Sequence, residues 1–558
     1  MPSFKKTQNS FSMGEVSPDF YPRVQPNAVA KLENIHATVA GVLARRPGSV
    51  KIGDVRDADS VIIPFGNEFV LIMSAARMYI YRNEALFQAF LMEWDRPVDD
   101  VRQVQWVQRF DTMIFTHPSN PPKILQRSGQ GFSFSEFQFE RDGRSFPIMP
   151  FMRFADTEGA TLTVTAHSNG TNWARVVASK PIWQPSNETG FLTFMDRKWE
   201  VITYVSPTEL VAVTSNTFTP PAAPIGDWYE SAFSERRGYP RAITFHQDRL
   251  VFGGSRDYPS GLWMSKTGRH HNFDTGTGLD DEAIFITLLS ETEQKICACI
   301  SSRDLLILTD SGEWAISSAP LTPSTINIRQ HTGIGTEPSR FAQPQKINSA
   351  TVFISKTGIR EMALDELGEN YASTDLTLMA RHLVDKPIAL AYSAALSQLF
   401  ALMSDGTMAV LTKQSETATS AWCLYKTQGR YKYVAASRDA VYTIVERDGK
   451  CQLEKFSPGA ASDAGYGFSW IAAGAPITVD RHIPRKIRII RASAAVQGAS
   501  HIKINSFDFY RDRDFSGVIS ANILGSMTDP TASPWTVQSD EQADAKILSI
   551  TVEGTYEL

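Results

Sequence analysis

The sequence reads as an all-β chain: an irregular β-propeller with an inserted β-domain and a small C-terminal β-domain. Three observations lead there. Seven pairs of short apolar runs are each joined by turn residues. The pairs recur at a near-constant spacing, and stretches with helical periodicity are few.

The pairs read EFVLIMSAARMYIY, DTMIFTHPSNPPKIL, DRLVFGGSRDYPSGLWMS, DLLILTDSGEWAIS, ATVFISKTGIREM, QLFALMSDGTMAVLT and DAVYTIVERDGKCQLEKF. Each looks like a hairpin, because Gly, Asn and Asp accept the backbone conformations that tight turns need. Their first apolar triplets start at or near Phe69, Met113, Leu250, Leu306, Val352, Leu399 and Val441. Successive positions differ by 44, 137, 56, 46, 47 and 42 residues. A four-stranded blade takes roughly 40–50 residues, so every step but one is a single blade. The long step is one blade plus an excess, placed at 132–232 as an inserted β-domain. TLTVTAHSNGTNWARVVAS and WEVITYVSPTELVAVTS form further hairpins inside it. The first blades then occupy 31–131 and the remaining blades 233–475. Unrelated sandwich hairpins are the alternative explanation of such spacing.

Helical spacing is confined to 83–93 and 376–384. From 476 to 558, RKIRIIRASAAV, SHIKINSFDFY and AKILSITVEGTYEL read as strands of the C-terminal β-domain. Residues 1–30 are polar, with Phe11, Phe20 and Tyr21 as anchors, and are expected to form an extended docking arm.

Composition narrows the function classes. Across 558 residues, hydrophobic content is 42% and charged content 21%, which is ordinary for a folded chain. The net charge of −5 excludes nucleic-acid binding by bulk attraction. No stretch approaches the roughly 20 apolar residues of a membrane span, so no stable membrane insertion is expected. The N-terminus lacks the apolar run of a signal peptide. Cys297, Cys299, Cys423 and Cys451 are too few for a disulfide scaffold and read as small core residues.

Several segments resemble sites. ERRGYPRAITFHQDRLVFGG (235–254) sets His246 beside Gln247 and Asp248, an acid/base pairing in composition. These neighbours share a turn, however, and no nucleophile motif accompanies them. GRHHNFDTGTGLDDEAI (268–284) offers His270, His271, Asp274, Asp280 and Asp281 as metal ligands, and its TGTGLDD loop as a calcium site. Adjacent histidines point apart in an extended segment, which argues against a shared ion. LTDSGEWAIS (308–317) resembles the Asp-box turn of sialidase-like propellers. DRHIPRKIRIIRAS (480–493) is the strongest basic cluster. As a strand it places Lys486 and Arg488 on one face and Ile487 and Ile489 on the other. Arg485, Lys486, Arg488 and Arg491 are thus candidates for DNA or interface contact. There is no P-loop, no GxSxG and no HExxH.

Five segments together resemble one family. Near the N-terminus stand Phe11, Gly14–Glu15–Val16–Ser17–Pro18, Arg23, Leu32–Glu33–Asn34 and Arg45–Arg46–Pro47–Gly48. WVQRFDTMIFTHPSNPPKILQR follows, with Gln108, Asp111, His117, Pro118, Pro122, Leu125 and Arg127. The third block is Gly238–Tyr239–Pro240–Arg241, continued by Arg249 and LWMSKTGRHHNF. YASTDLTLMARHL and LMSDGTMAVLTKQSETATSAW are the last. In this order they resemble the tail nozzle, or tail tubular protein B, family of short-tailed bacteriophages. Val16 stands where the family has Leu, and the aspartate expected after Arg23 is absent.

The resemblance implies a structural virion protein of the tail, not an enzyme, with no cofactor. It implies a homohexameric ring below portal and adaptor, around the channel through which genomic DNA leaves. Contact with tail fibre, tailspike or needle proteins would follow. The competing classes are a tail-associated propeller glycosidase and a receptor-binding tail tip, for which Trp94, Trp183 and Trp228 are the aromatic candidates.

Overall fold

The computed structural model describes residues 1–21, 27–92, 101–129, 131–336, 342–477, 486–511, 515–523 and 533–557. Among them, seven four-stranded antiparallel units each run as a meander from an inner to an outer strand. Blade I spans 61–91, blade II 105–136, blade III 242–287, blade IV 296–332, blade V 345–375 and blade VI 387–425. Blade VII is built from Arg430–Ala436, Val441–Arg447 and Lys450–Ser457. Gly48–Val55, from far upstream, is its outer strand.

The seven paired runs of the sequence are the second and third strands of these seven blades. Their turns explain why they pair locally. In the last pair Asp448–Gly449 lies in the positive-φ region that matches the twist of a two-residue hairpin, as does Gln247–Asp248 between the first and second strands of blade III.

The blades close into a ring because each junction between neighbours is an apolar core. Ile63, Leu71, Met113 and Phe115 fill the junction of blades I and II. Ile114, Ile243 and Phe252 join II to III. Val251, Leu262, Cys299 and Ile307 join III to IV, and Leu306, Leu308, Phe353 and Met362 join IV to V. Val352, Ile359, Leu399 and Leu411 join V to VI, and Phe400, Val410, Tyr431 and Val445 join VI to VII. Ile62, Ile72, Ile444 and Leu453 complete the circle from VII to I. Strands buried on both faces read as continuous apolar runs, which is why FVLIM, LLILT and QLFALM show no alternation. The fold is a seven-bladed β-propeller with added β-sheets.

Between blades II and III a seven-stranded antiparallel sheet is built from strands between Phe151 and Ser231. Trp183, Trp199 and Trp228 lie in its core.

The chain ends meet in a two-sheet body. Ser3–Gln8 pairs antiparallel with Ala545–Tyr556, which also carries Ile487–Gly498 and Leu43–Arg45. Gly14–Glu15 inserts in parallel between Thr419–Tyr425 and Ala28–Glu33. That joins blade VI to Trp470–Gly474, Thr536–Ser539 and His501–Ile504 in one ten-stranded sheet. The segment expected as an extended arm therefore supplies paired strands, and Phe11 is fully buried. Removing 1–18 would strip strands from both sheets. Two helical readings also give way: Ala85–Leu91 is the outer strand of blade I, and 376–384 is a turn followed by the short 3-10 helix Arg381–Leu383.

Candidate functional site

The residues that stand out in the sequence sit where distant segments are tied together. Arg46 is the clearest case. Its side chain is fully buried, and all five guanidinium N–H groups are used. Nε donates to Asn34 Oδ1 at 2.8 Å. Nη1 donates to Pro47 O and to Asp463 Oδ1 at 2.8 Å. Nη2 donates to Lys426 O and to Asp463 Oδ2 at 2.6 Å. The guanidinium also stacks 3.6 Å from the Phe468 ring centre. Burial opposes the charge, but the Tyr431, Tyr425 and Asp463 neighbours prevail and hold Arg46 above its ordinary value.

Arg45 lies 4.1 Å from the same ring and donates to Ala461 O. Burial, then the charge of Arg46, lowers it to about 10. Gly48 has no room for a side chain, since a Cβ would lie 2.3 Å from Ser462 O. The Arg-Arg-Pro-Gly run thus fastens the strand that closes the propeller to the loop after blade VII.

Gly14 has φ +63°, and a Cβ there would sit 2.5 Å from Trp422 N. Glu15 accepts from Leu32 N at 2.6 Å and lies 2.9 Å from His382 Nε2. Ser17 N donates to Met379 O, and Pro18 opens a 3-10 turn. These residues pin the N-terminal segment to blade VI. Gln108 accepts from Gly66 N and so links blade II to the first hairpin of blade I. Asp111 is an exposed turn residue whose carbonyl accepts from Arg127 N.

In the 235–254 stretch, Arg236 and Arg237 hold the inserted sheet to blade III, a role the sequence reading did not assign them. Arg237 forks onto Glu230 at 2.6 and 3.1 Å and reaches Asp156 at 3.0 Å. Arg236 reaches Asp156 at 2.9 Å and Asn187 at 3.0 Å. Doubled arginines beside a turn were the available signal, but their acids lie up to 81 residues away. Gly238 has φ +82°, Tyr239 N donates to Pro118 O, and Pro240 is buried. Arg249 is fully buried. It donates to Ser265 O, Glu282 O and Asp280 O, so it ties three carbonyls of one blade.

The enzyme-like features resolve into structural contacts. His246 is buried with Nδ1 2.9 Å from Ser301 Oγ, and burial lowers its pKa. Asp248 instead pairs with Arg109 at 2.6 Å. His270 and His271 do point apart. His270 lies 3.3 Å from Asp248, whereas His271 stacks on Phe137 at 4.4 Å. The TGTGLDD loop is not a calcium cradle. It aims backbone N–H groups inward, and Thr277, Gly278 and Leu279 all donate to Glu282 Oε2 at 2.6 to 2.8 Å. Among the described residues, no group of three or more His, Cys, Asp or Glu could hold a metal ion.

Trp183 and Trp228 are buried, which removes them as exposed receptor contacts. Trp94 lies outside the described residues, as do Arg23 and Arg485. Lys486, Arg488 and Arg491 are exposed while Ile487 and Ile489 are buried, so the two faces of that strand separate as the alternation predicts. A bulge between Ile489 and Arg491 turns Ile490 outward as well.

No family model and no curated protein matches the chain. Among solved structures it is similar to BamB from Moraxella catarrhalis, at 10% identity and a TM-score of 0.35, covering 74% of this chain and 100% of that one. It is similar to the Cps50 (Swd1) β-propeller domain of Myceliophteria thermophila, at 9% identity and a TM-score of 0.29, covering 73% and 99%. It is also similar to the computationally designed Ika8 protein, at 10% identity and a TM-score of 0.34, covering 72% and 99%. At these values the likenesses say nothing of function.

Proposed function

We propose that the chain is a structural virion protein: the distal tail nozzle of a short-tailed phage. In this reading it forms a homohexameric ring that retains and then releases genomic DNA below portal and adaptor. One observation carries the reading. The conspicuous polar groups, above all Arg46, Arg236, Arg237 and Arg249, are consumed in buried ties between segments rather than converging on an open cleft as acid, base and nucleophile would. That is the economy of a scaffold.

The surface adds a reason for assembly. Ala85–Leu91, the outer strand of blade I, carries ALFQAFL, with Leu86 56% and Leu91 62% exposed. An uncharged apolar edge strand invites pairing with another chain. Glu at both Leu86 and Leu91 should leave the circular dichroism melt unchanged but stop the chain entering rings, seen by mass photometry with the adaptor present. Undiminished ring formation would remove this edge from the interface.

A further inference from the structure

Three successive blade junctions are tied through a histidine. Between blades II and III, Arg109 Nη1 lies 2.5 Å from His270 Nε2 and 2.6 Å from Asp248 Oδ1. Between III and IV, His246 Nδ1 meets Ser301 Oγ at 2.9 Å, and Gln247 Nε2 lies 3.4 Å from His246 Nε2. Between IV and V, Tyr371 N donates to His331 Nδ1 at 3.2 Å. His331 is the bulged residue of its strand, since Gln330 pairs with Trp314 and Thr332 with Glu313.

Each tie needs a neutral ring. A guanidinium and a backbone amide only donate, so His270 Nε2 and His331 Nδ1 accept. Gln247 is fixed by its own bonds, because Oε1 accepts from Leu321 N and Nε2 donates to Ser318 O, both at 2.7 Å. Its Nε2 therefore donates toward His246, whose Nε2 is the acceptor. A proton added to any of these three ring nitrogens sets N–H against N–H.

The charges facing the rings are mixed. Arg109 and Asp248 face His270, Asp304 and Lys346 face His246, and Arg329 and Asp304 face His331. Burial outweighs the acid at every one and holds each ring below its ordinary 6.5.

The rest of the ring is built without such groups. Blades V, VI, VII and I contain no histidine. Blade VII is tied instead by Arg46 to Asp463 and by Arg447 to Glu454.

We propose that blades II to V form an acid-sensitive sector of the propeller, in which protonation of His246, His270 and His331 releases three junctions while blades VII and I stay joined. The sign follows from linkage. A ring held low in the folded chain supports its junction fully above about pH 6.5. That support is lost as the pH falls below this value, by up to about tenfold per pH unit for each histidine. The device belongs to the fold and does not depend on what the chain assembles with.

The test is native-state hydrogen exchange of the full chain at about pH 7.5 and about pH 5.5, at constant ionic strength and corrected for the intrinsic pH dependence of exchange. Protection of Gln105–Arg109, Ala242–His246, Ile296–Ser301 and Tyr371–Asp375 should fall by roughly tenfold or more. That of Val61–Phe65 in blade I and Arg430–Ala436 in blade VII should change by less than about twofold. His270→Gln and His331→Asn keep a carbonyl acceptor for the same donors, and each should remove the pH dependence at its own junction. The proposal is overturned if protection falls equally in all six strands, if it falls in none, or if both variants keep the pH dependence of the natural chain. The comparison among strands of the natural chain decides the matter even where a variant fails to fold.

Discussion

Replacing Arg46 with Met tests how the propeller is closed. Arg46 lies between Leu43–Arg45 and Gly48–Val55, and the second of these strands completes blade VII. The substitution keeps an unbranched apolar stem but removes five hydrogen bonds, two of them to Asp463. Asp463, with a side chain 2% exposed, is then left charged and unpaired. Breaking one side of a buried pair costs about 3–5 kcal/mol. At 1.4 kcal/mol per tenfold, protection of the Gly48–Val55 amides should fall by roughly two to three and a half powers of ten in native-state hydrogen exchange. Arg46→Met combined with Asp463→Leu removes the stranded charge and should recover much of that loss. A loss below about 1 kcal/mol in the single variant, or no recovery in the double, would refute the reasoning.

Other perturbations have equally definite outcomes. Arg237→Ala leaves Glu230 buried without its fork and should cost about 3 kcal/mol, read as early proteolysis between the inserted sheet and blade III. Gly14→Ala, at φ +63° against Trp422, should destabilise by about 2 kcal/mol or more in urea. Glu282→Gln should speed exchange of the Thr277, Gly278 and Leu279 amides, and calcium should raise the melting temperature of neither form. Burial holds His246 below its ordinary 6.5, so the folded chain protonates it later than the unfolded chain does. Its contribution to stability is therefore full above about pH 6.5 and is lost as the pH falls below that. His246→Gln should flatten that slope in urea midpoints measured between about pH 7 and pH 5.

How much of this was written in the sequence follows from range. The blade hairpins close within a few residues, so their turn chemistry and apolar runs are visible locally. Gly48–Val55 pairs with Lys450–Ser457, and Ser3–Gln8 pairs with Ala545–Tyr556. Nothing local in either strand names its partner, which is why the N-terminal segment read as an arm. Ala85–Leu91 read as helical because it is an edge strand with exposure on both faces and a bulge after Leu86, which erases alternation. The site residues were legible by type but not by role. Arg236, Arg237 and Arg249 were visible as charges, whereas their burial depends on Asp156, Glu230 and a loop carbonyl set that only the fold assembles.

The central claim is that the chain builds a virion. Immunogold labelling of intact phage particles, with antibody raised against the recombinant chain, tests it most directly. The account predicts label at the tail stub below the head vertex. Particles that carry no label, while the same antibody detects the chain in the infected lysate, would contradict it.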